Sequence, residues 1–186
     1  MRKRENGLSL IEILLTLGLL TVLMSLSSID WQTAIERRQG EAILKKITSA
    51  LQAARTEAIK SGSTITVCRS ANASSCGGQW HDGLIVFSDL NRNRIIDQSD
   101  EMILAERFEN LAGTIKWRAF RNRQYLQVNA QGVIQFQSGN FTFCPASGHP
   151  ANIRQLIISS TGRIRVAIDR DGDGRRENAS GQAIEC

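Results

Sequence analysis

Two arginines separated by a single residue are the side chains in this sequence best suited to binding an anion. Arg163 and Arg165 follow Gly162 in the stretch Gly-Arg-Ile-Arg near the C-terminal end. Side chains two positions apart on a strand leave the same face, about 6.5–7 Å apart, and each guanidinium can donate charge-assisted hydrogen bonds to a phosphate. The pattern predicts a phosphate-binding surface. The alternative is a solvated edge strand whose basic side chains resist aggregation.

Charge is unevenly distributed along the chain, and its basic part surrounds these arginines. The net charge is +5, but residues 110–168 contain seven basic residues and no acidic one. Residues 82–109 contain seven acidic residues and three arginines, a net charge of −4. A polyanion is therefore attracted to the later stretch. Further candidates for the same surface are Arg154, Lys116 and Arg118, and on a predicted helix Lys45 and Lys46, for which solvated helix charge is the alternative.

An acidic turn close to these arginines has the spacing of a calcium loop. Asp169, Asp171 and Asp173 occupy the first, third and fifth positions of "DRDGDGRRENAS", and a glycine follows at the sixth. Such loops need a bidentate glutamate at position twelve, where this chain has Ser180. We expect no resident cofactor and retain these three acids as a calcium candidate.

Four cysteines follow the apolar N-terminal segment: Cys68, Cys76, Cys144 and Cys186. An even number without a CxxC pair favours disulfides in an oxidising compartment over a metal site. Four cysteines allow three pairings. We expect Cys68–Cys76, which closes a short loop, and Cys144–Cys186, which attaches the C-terminal end to the domain. The sequence has no GxSxG or HExxH motif and no free cysteine suited to a histidine partner, so we do not expect an enzyme.

The N-terminal segment has the composition of a membrane anchor. Residues 8–29 carry one charge, Glu12, and a bilayer-spanning helix needs about 20 residues. Three basic residues precede the segment, so the positive-inside rule places the N-terminus in the cytoplasm and the remaining chain outside. A cleaved secretory signal has a shorter apolar core, of about 7–15 residues. We therefore expect a single-pass anchor.

Helical periodicity continues beyond this segment and then gives way to strands. Apolar residues recur at three- and four-residue steps through residues 30–61, which predicts an amphipathic helix that Gly62 ends. From residue 63 the period becomes two, and the predicted strands are residues 64–69, 84–88, 102–108, 114–119, 125–129, 133–137, 141–145, 154–159 and 163–168. The sequence predicts an α+β fold, in which a long N-terminal helix packs on a small antiparallel β domain of residues 63–186.

The stretch "RKRENGLSLIEILLTLGLL" closely resembles the class III signal of type IV pilins and type II secretion pseudopilins. That signal has a short basic leader, a glycine, a hydrophobic first mature residue and a glutamate at the fifth mature position. The resemblance implies that prepilin peptidase removes residues 1–7 between Gly7 and Leu8. It also implies N-methylation of Leu8, which stands where the family usually has phenylalanine. Glu12 would then pair with the freed amine of a neighbouring subunit as residues 8–29 enter the filament core.

The order of elements resembles the GspH/FimT group of minor pilins and pseudopilins, and FimT-type members take part in DNA uptake and carry a GRxR motif. The resemblance implies a pilin-like fold and a minor type IV pilin, anchored in the inner membrane with its domain in the periplasm. It would then assemble with major and minor pilins near the pilus tip, and its basic C-terminal patch would bind double-stranded DNA nonspecifically in natural transformation. The alternative is a GspH- or FimU-like structural subunit that primes assembly of a pilus or type II secretion pseudopilus without binding DNA.

Overall fold

The described residues before the β domain form two helical segments. The computed structural model describes residues 9–27, 31–134 and 137–186. Helix α1 is Leu10–Ser27 and helix α2 is Trp31–Ser61. The large apolar side chains of α1 are exposed, whereas α2 buries one face against the β domain.

The predicted processing site and membrane span are only partly described. Glu12 lies exposed in the first turn of α1. Gly7, Leu8 and residues 28–29 lie outside the described residues. Within the described part of the chain, no helix combines the length and the apolarity that crossing a membrane requires.

One face of α2 forms a wall of the main core. Its buried apolar side chains recur every three or four residues: Ile43, Leu44, Ile47, Ala50, Leu51, Ala54 and Ala58. Gly40 lets the helix approach the sheet closely, because a Cβ there would lie 2.5 Å from the ring of Phe143. The helix ends at Ser61, directly before the predicted stop at Gly62.

Glu36 departs from the predicted polar face of this helix. The sequence pattern places it among solvated charges, but its side chain is buried. Its carboxylate accepts hydrogen bonds from the backbone N–H and the hydroxyl of Ser147 and from Nδ2 of Asn152. Burial by itself raises the pKa of Glu36, but these hydrogen bonds outweigh burial and hold the pKa below its usual value. The ionised carboxylate therefore fastens a loop of the β domain to the helix.

Among the described residues, eight strands form two antiparallel sheets. In chain order they are β1 (Ile65–Arg69), β2 (Gly83–Ser88), β3 (Met102–Arg107), β4 (Gly113–Ala119), β5 (Tyr125–Val128), β6 (Gly139–Pro145), β7 (Arg154–Ile158) and β8 (Ile164–Val166). The first sheet has the order β3-β2-β1-β5 and the second has the order β4-β6-β7-β8. The expected α+β class is confirmed. Of the predicted strand 133–137, Ile134 forms an isolated bridge to Val128, Val133 and Gln137 belong to no strand, and residues 135–136 lie outside the described residues.

Side chains of the second sheet alternate between a face toward α2 and an outer face. Phe141, Phe143 and Leu156 are fully buried in the main core that α2 also joins. The positions between them belong to the outer face, which carries Lys116, Arg118, Asn140, Thr142, Gln155, Ile157 and Arg165. The outer face of the second sheet is therefore mostly polar.

Two disulfides, Cys68–Cys76 and Cys144–Cys186, have the pairings that the sequence analysis expects. The first closes a loop after β1. The second ties the chain end to β6, and we call residues 167–186 the C-terminal tail. Ile184 of this tail packs with Ile153 and Ala167, against which Ile157 of the outer face also packs. The tail therefore folds back over part of the outer face.

Candidate nucleic-acid interface

A tight turn between β7 and β8 presents the two candidate arginines. The N–H of Gly162 donates to the carbonyl of Ser159 at 3.0 Å, and the N–H of Arg163 donates to Ser159 Oγ at 3.1 Å. Gly162 has a φ of +79°, and a Cβ there would lie 3.2 Å from the carbonyl oxygen of Gly132. Both conformation and space therefore favour glycine. Gly162 is buried, so its contribution to the predicted site is to shape the turn.

Arg163 and Arg165 lie at the β8 edge of the second sheet. Arg163 is exposed and Arg165 is half-buried, and neither guanidinium has a hydrogen-bond or ion-pair partner within the described residues. The two side chains line one shallow depression together with Arg170. Ile164 packs against the core, whereas Val166, two positions further on the same strand, is 50% exposed.

Two further arginines reach the same edge, and sequence reasoning did not select either of them. Arg55 of α2 lines a cavity together with Gly162 and Arg163, and Arg170 joins the depression described above. In the sequence, Arg55 looks like a solvated helix charge and Arg170 like part of an acidic turn. We call Arg55, Arg163, Arg165 and Arg170 the basic edge. Clustered guanidinium groups of this kind bind phosphate backbones without reading sequence.

Arg154 is unavailable to an external anion, which corrects the sequence prediction. Its side chain is buried and the residue is 2% exposed. Nη1 donates to the carbonyl oxygens of Ala151 at 2.7 Å and Ile153 at 3.0 Å, and Nη2 lies 3.3 Å from Glu41 Oε1. Burial, and then the nearby positive charge of Arg176, lower the pKa of Arg154. This guanidinium joins β7 to α2.

Strand register explains why Arg154 and Arg165 differ. Arg154 lies two positions before Leu156 on β7, so both side chains point toward α2. Arg165 pairs with Ile157, which lies on the outer face. The two arginines therefore belong to opposite faces of one sheet.

Lys116 and Arg118 lie at the other edge of the outer face. Arg118, Asn140, Ile157 and Arg165 form a single row across the four strands. Since neighbouring strands are about 4.8 Å apart, the Cα atoms at the ends of this row are roughly 14 Å apart. Lys116 and Arg118 are exposed and form no ion pair among the described residues. The outer face thus offers cations at both of its edges.

The neighbouring side chains of Lys45 and Lys46 face different parts of the molecule. Lys46 Nζ lies 2.9 Å from Glu106 Oε2 of β3 and 6.0 Å from the centre of the Phe108 ring. Lys46 therefore faces the acidic side of the molecule and is not part of the basic edge, contrary to the sequence prediction. Lys45 lines a different cavity, together with Val166 at the end of β8.

Four carboxylates converge in the C-terminal tail beside Arg170. Asp169, Asp171, Asp173 and Glu177 place oxygen atoms within 4.8 Å of one another. Glu177 is buried and was not in the predicted calcium set, because it does not occupy the expected twelfth position. Calcium prefers such oxygen ligands. Backbone N–H groups also donate to Asp169, Asp171 and Asp173 as in ordinary turns, so the cluster alone does not identify an ion.

Comparison with known proteins identifies the family. The family described as Type II transport protein GspH matches residues 44–162. The chain belongs to the GspH family. No curated protein sequence matches the chain.

Two solved structures share the fold of this GspH-family chain. The type IV minor pilin FimU of Pseudomonas aeruginosa is 22% identical, with a TM-score of 0.52, over 70% of this chain and 90% of FimU. The minor pseudopilin EpsH of the Vibrio cholerae type 2 secretion system is 14% identical, with a TM-score of 0.50, over 69% of this chain and 95% of EpsH. The expected membership among type IV minor pilins and pseudopilins, and the pilin-like fold, are confirmed.

The GspH match ends within the basic edge, after Arg55 and before the other three arginines. Gly162 is its last residue, so Arg163, Arg165 and the C-terminal tail lie beyond it. Membership of this family implies assembly with other pilins and association with a membrane. The match thus covers the strands that lead into the β7–β8 turn.

Proposed function

We propose that this chain is a minor type IV pilin that binds double-stranded DNA nonspecifically for uptake in natural transformation. The observation that carries the proposal is the basic edge, where arginines from α2, from β8 and its preceding turn, and from the tail converge. Duplex DNA carries one phosphate per about 3.4 Å on each strand. The two cations at the ends of the row, Arg118 and Arg165, lie roughly 14 Å apart, a distance that about four phosphates of one strand span along the DNA axis.

The charge distribution supports the same surface. Residues 110–168, which contain no acid, build the whole second sheet and β5, whereas residues 82–109 build β2, β3 and an acidic turn. A polyanion is therefore attracted to the second sheet and repelled from the β2–β3 side of the first sheet. The four carboxylates of the tail oppose this attraction beside Arg170, so Arg55, Arg163 and Arg165 contribute most.

Processing and assembly complete the proposal. Prepilin peptidase cleaves after Gly7, Leu8 becomes the N-methylated first residue, and residues 8–29 hold the precursor in the inner membrane with the β domain in the periplasm. Glu12 is exposed on α1 and pairs with the freed amine of a neighbouring pilin in the filament, near its tip. The amphipathic residues 30–61 and the β domain of residues 63–186 form the part outside the filament core. The proposal includes no catalytic role.

A gel-shift titration of the full chain in detergent, with a short DNA duplex at several salt concentrations, tests DNA binding. We expect affinity to fall steeply with salt, because binding releases counterions. The variant Arg163→Gln/Arg165→Gln removes two phosphate contacts, so the slope of log K against log salt should fall by about 1.8.

A matched variant separates position from net charge. Arg92→Gln/Arg107→Gln removes two exposed arginines from the side of the first sheet and changes the net charge equally. This control should bind DNA nearly as well as the original chain. Equal loss in both variants would mean that only net charge matters. Absence of binding by the original chain at low salt would leave the second candidate, a structural subunit that primes assembly, as FimU-like and EpsH-like folds permit.

A further inference from the structure

An aromatic ring continues the outer face of the second sheet beyond the end of β4. Lys116 and Arg118 occupy alternate positions of this edge strand and belong to the outer face. Ala119 is extended, with a φ of −129° and a ψ of 163°, and the N–H of Phe120 donates to the carbonyl of Ser138 at 3.2 Å. The ladder between β4 and β6 therefore continues for one residue, and Phe120 follows Lys116 and Arg118 on the same face.

The ring of Phe120 differs in exposure from the other large aromatic side chains of the β domain. It is 59% exposed, whereas Trp80 and Trp117 are 2% and 5% exposed. Among the described residues of the β domain, no other phenylalanine or tryptophan lies mainly in solvent. The guanidinium carbon of Arg121 lies 5.5 Å from the centre of the ring. Proteins that bind single-stranded nucleic acid hold bases with this combination of an aromatic ring and an arginine.

The backbone that presents the ring has an uncommon conformation and is held at its base. Arg121 and Asn122 have φ values of +58° and +53°, in the left-handed region that residues other than glycine seldom adopt. Nε1 of the buried Trp117 donates to the carbonyl of Arg123 at 2.7 Å, and the side-chain amide of Gln124 donates to the carbonyl of Asn122 at 3.3 Å. The loop is therefore ordered without a ligand, so a ligand that covers the ring pays little to order it.

The chain around the ring carries only positive charge. Residues 116–123 contain four basic residues and no acidic one, and none of the four has an ion-pair partner among the described residues: Lys116, Arg118, Arg121 and Arg123. These cations attract the phosphates of a nucleic acid, but an aromatic ring contributes nothing to a phosphate contact. The ring can stack on the face of any base, whatever its identity. In an intact duplex the neighbouring base pairs cover those faces, so the ring suits an unpaired base.

We propose that Phe120 stacks on an unpaired base of DNA, so that this chain binds duplexes with a single-stranded end more tightly than blunt duplexes. The inference rests on the proposed DNA function and adds a preference for one form of DNA. The phosphates beside the stacked base lie along Arg118 and Arg121. Because stacking does not distinguish between bases, the preference depends on the unpaired state and not on sequence.

Competition gel shifts of the full chain in detergent compare three DNAs that share one short duplex. The first is blunt, the second has a short overhang of thymidines, and the third has an overhang of the same length made of abasic sites. The two overhangs carry the same number of phosphates, so they differ only in their bases. We expect the thymidine overhang to bind at least about fivefold more tightly than the abasic one, since a base stacked on an aromatic side chain contributes this much or more. Equal binding of the two overhangs would overturn the inference and leave a protein neighbour as the partner of the ring.

Variants at position 120 locate the contact. Phe120→Ala should bind both overhangs equally and the blunt duplex as the original chain does, and the fold tolerates it because the side chain is exposed. Phe120→Trp offers a larger ring and should keep the preference. Ile95→Ala changes a 65% exposed apolar side chain between β2 and β3, and this matched control should also keep it. A preference that survives in Phe120→Ala would overturn the assignment to this ring.

The variant Arg163→Gln/Arg165→Gln separates this inference from the proposed DNA function. It should weaken the binding of all three DNAs and leave the ratio between the two overhangs unchanged. Loss of that ratio while Phe120 is intact would contradict stacking at this ring. If the original chain binds all three DNAs without a preference, only this inference fails, whereas absence of binding to any of them at low salt contradicts the DNA function as well.

Discussion

The two faces of the second sheet use the same kind of side chain in opposite ways. On the face toward α2, Arg154 is 2% exposed and is bonded to two carbonyl oxygens and to Glu41. On the outer face, Arg165 has no side-chain partner within the described residues. The sequence presents both simply as arginines in an acid-free stretch. Strand register, and not the number of basic residues, therefore decides which cations can bind an anion.

One acidic and one neutral side chain show the same difference between the inner and the outer face of the second sheet. The carboxylate of Glu36, between α2 and the β domain, accepts hydrogen bonds from Ser147 and Asn152. On the outer face, the Oε1 atom of Gln155 has no partner in the described structure. Groups whose bonds are made inside the chain should determine stability, whereas groups left without partners should determine binding. The predictions below test this division, beginning with the largest expected effect.

The two arginines give the most direct test, because the same substitution can be made on each face. Arg154→Met keeps most of the side-chain volume but removes the bonds to the carbonyl oxygen of Ile153 and to Glu41, and leaves the carbonyl of Ala151 with Arg176 at 3.3 Å, so we expect a loss of about 2 kcal/mol in unfolding free energy. Arg165→Met should change it by less than about 0.5 kcal/mol. Urea denaturation measures both values. Similar losses in the two variants would contradict the division between the faces.

The lowered pKa of Glu36 predicts that the free energy of unfolding depends on pH. Hydrogen bonds hold its pKa in the folded chain below the ordinary value of 4.5. Its stabilising contribution is therefore present above pH 4.5 and is lost as the pH falls through the lowered pKa. Glu36→Gln should cost about 1–2 kcal/mol at neutral pH, since the amide replaces a charged acceptor. Urea midpoints of both proteins, measured down to acidic pH, should converge; a constant difference would contradict the assignment.

The elements of this fold could be predicted because their signals are local. The apolar stripe of α2 recurs every three or four residues, short apolar or alternating runs mark the strands, and turn residues separate them. Contacts between distant segments were not predictable in this way. Glu36 is buried because Ser147 meets it from more than one hundred residues away, and Lys46 is paired because β3 brings Glu106 to it. Arg154 faces inward for the same kind of reason.

The residues of the candidate site also differ in whether the sequence could predict them. The spacing of Arg163 and Arg165 predicted their common depression, since it depends only on strand geometry. Arg55 was missed because a helix charge gives no local sign of which strand it will approach.

Arg55 extends the basic edge from the second sheet to helix α2, and its substitution tests whether that helix contributes to DNA binding. Arg55→Gln should lower the slope of log K against log salt for DNA by about 0.9, as expected for one lost phosphate contact. Arg38→Gln removes an exposed arginine from the same helix, near its beginning, and should leave the slope close to its original value. Gel shifts over a salt series measure both slopes. A larger effect of Arg38→Gln would move the interface away from β8.

The smallest expected effect separates the neighbouring lysines of α2. Lys46 Nζ pairs with Glu106 on the side of the first sheet, with partly exposed side chains on both residues. Lys46→Gln should therefore lower the unfolding free energy by no more than about 0.5 kcal/mol and leave DNA affinity unchanged. Lys45→Gln, on the side of Val166, should weaken DNA binding slightly at low salt through the longer-range field and leave stability unchanged. The reverse pattern, with DNA affinity falling only in Lys46→Gln, would place the anion on the first sheet and reverse the roles of the two sides of the molecule.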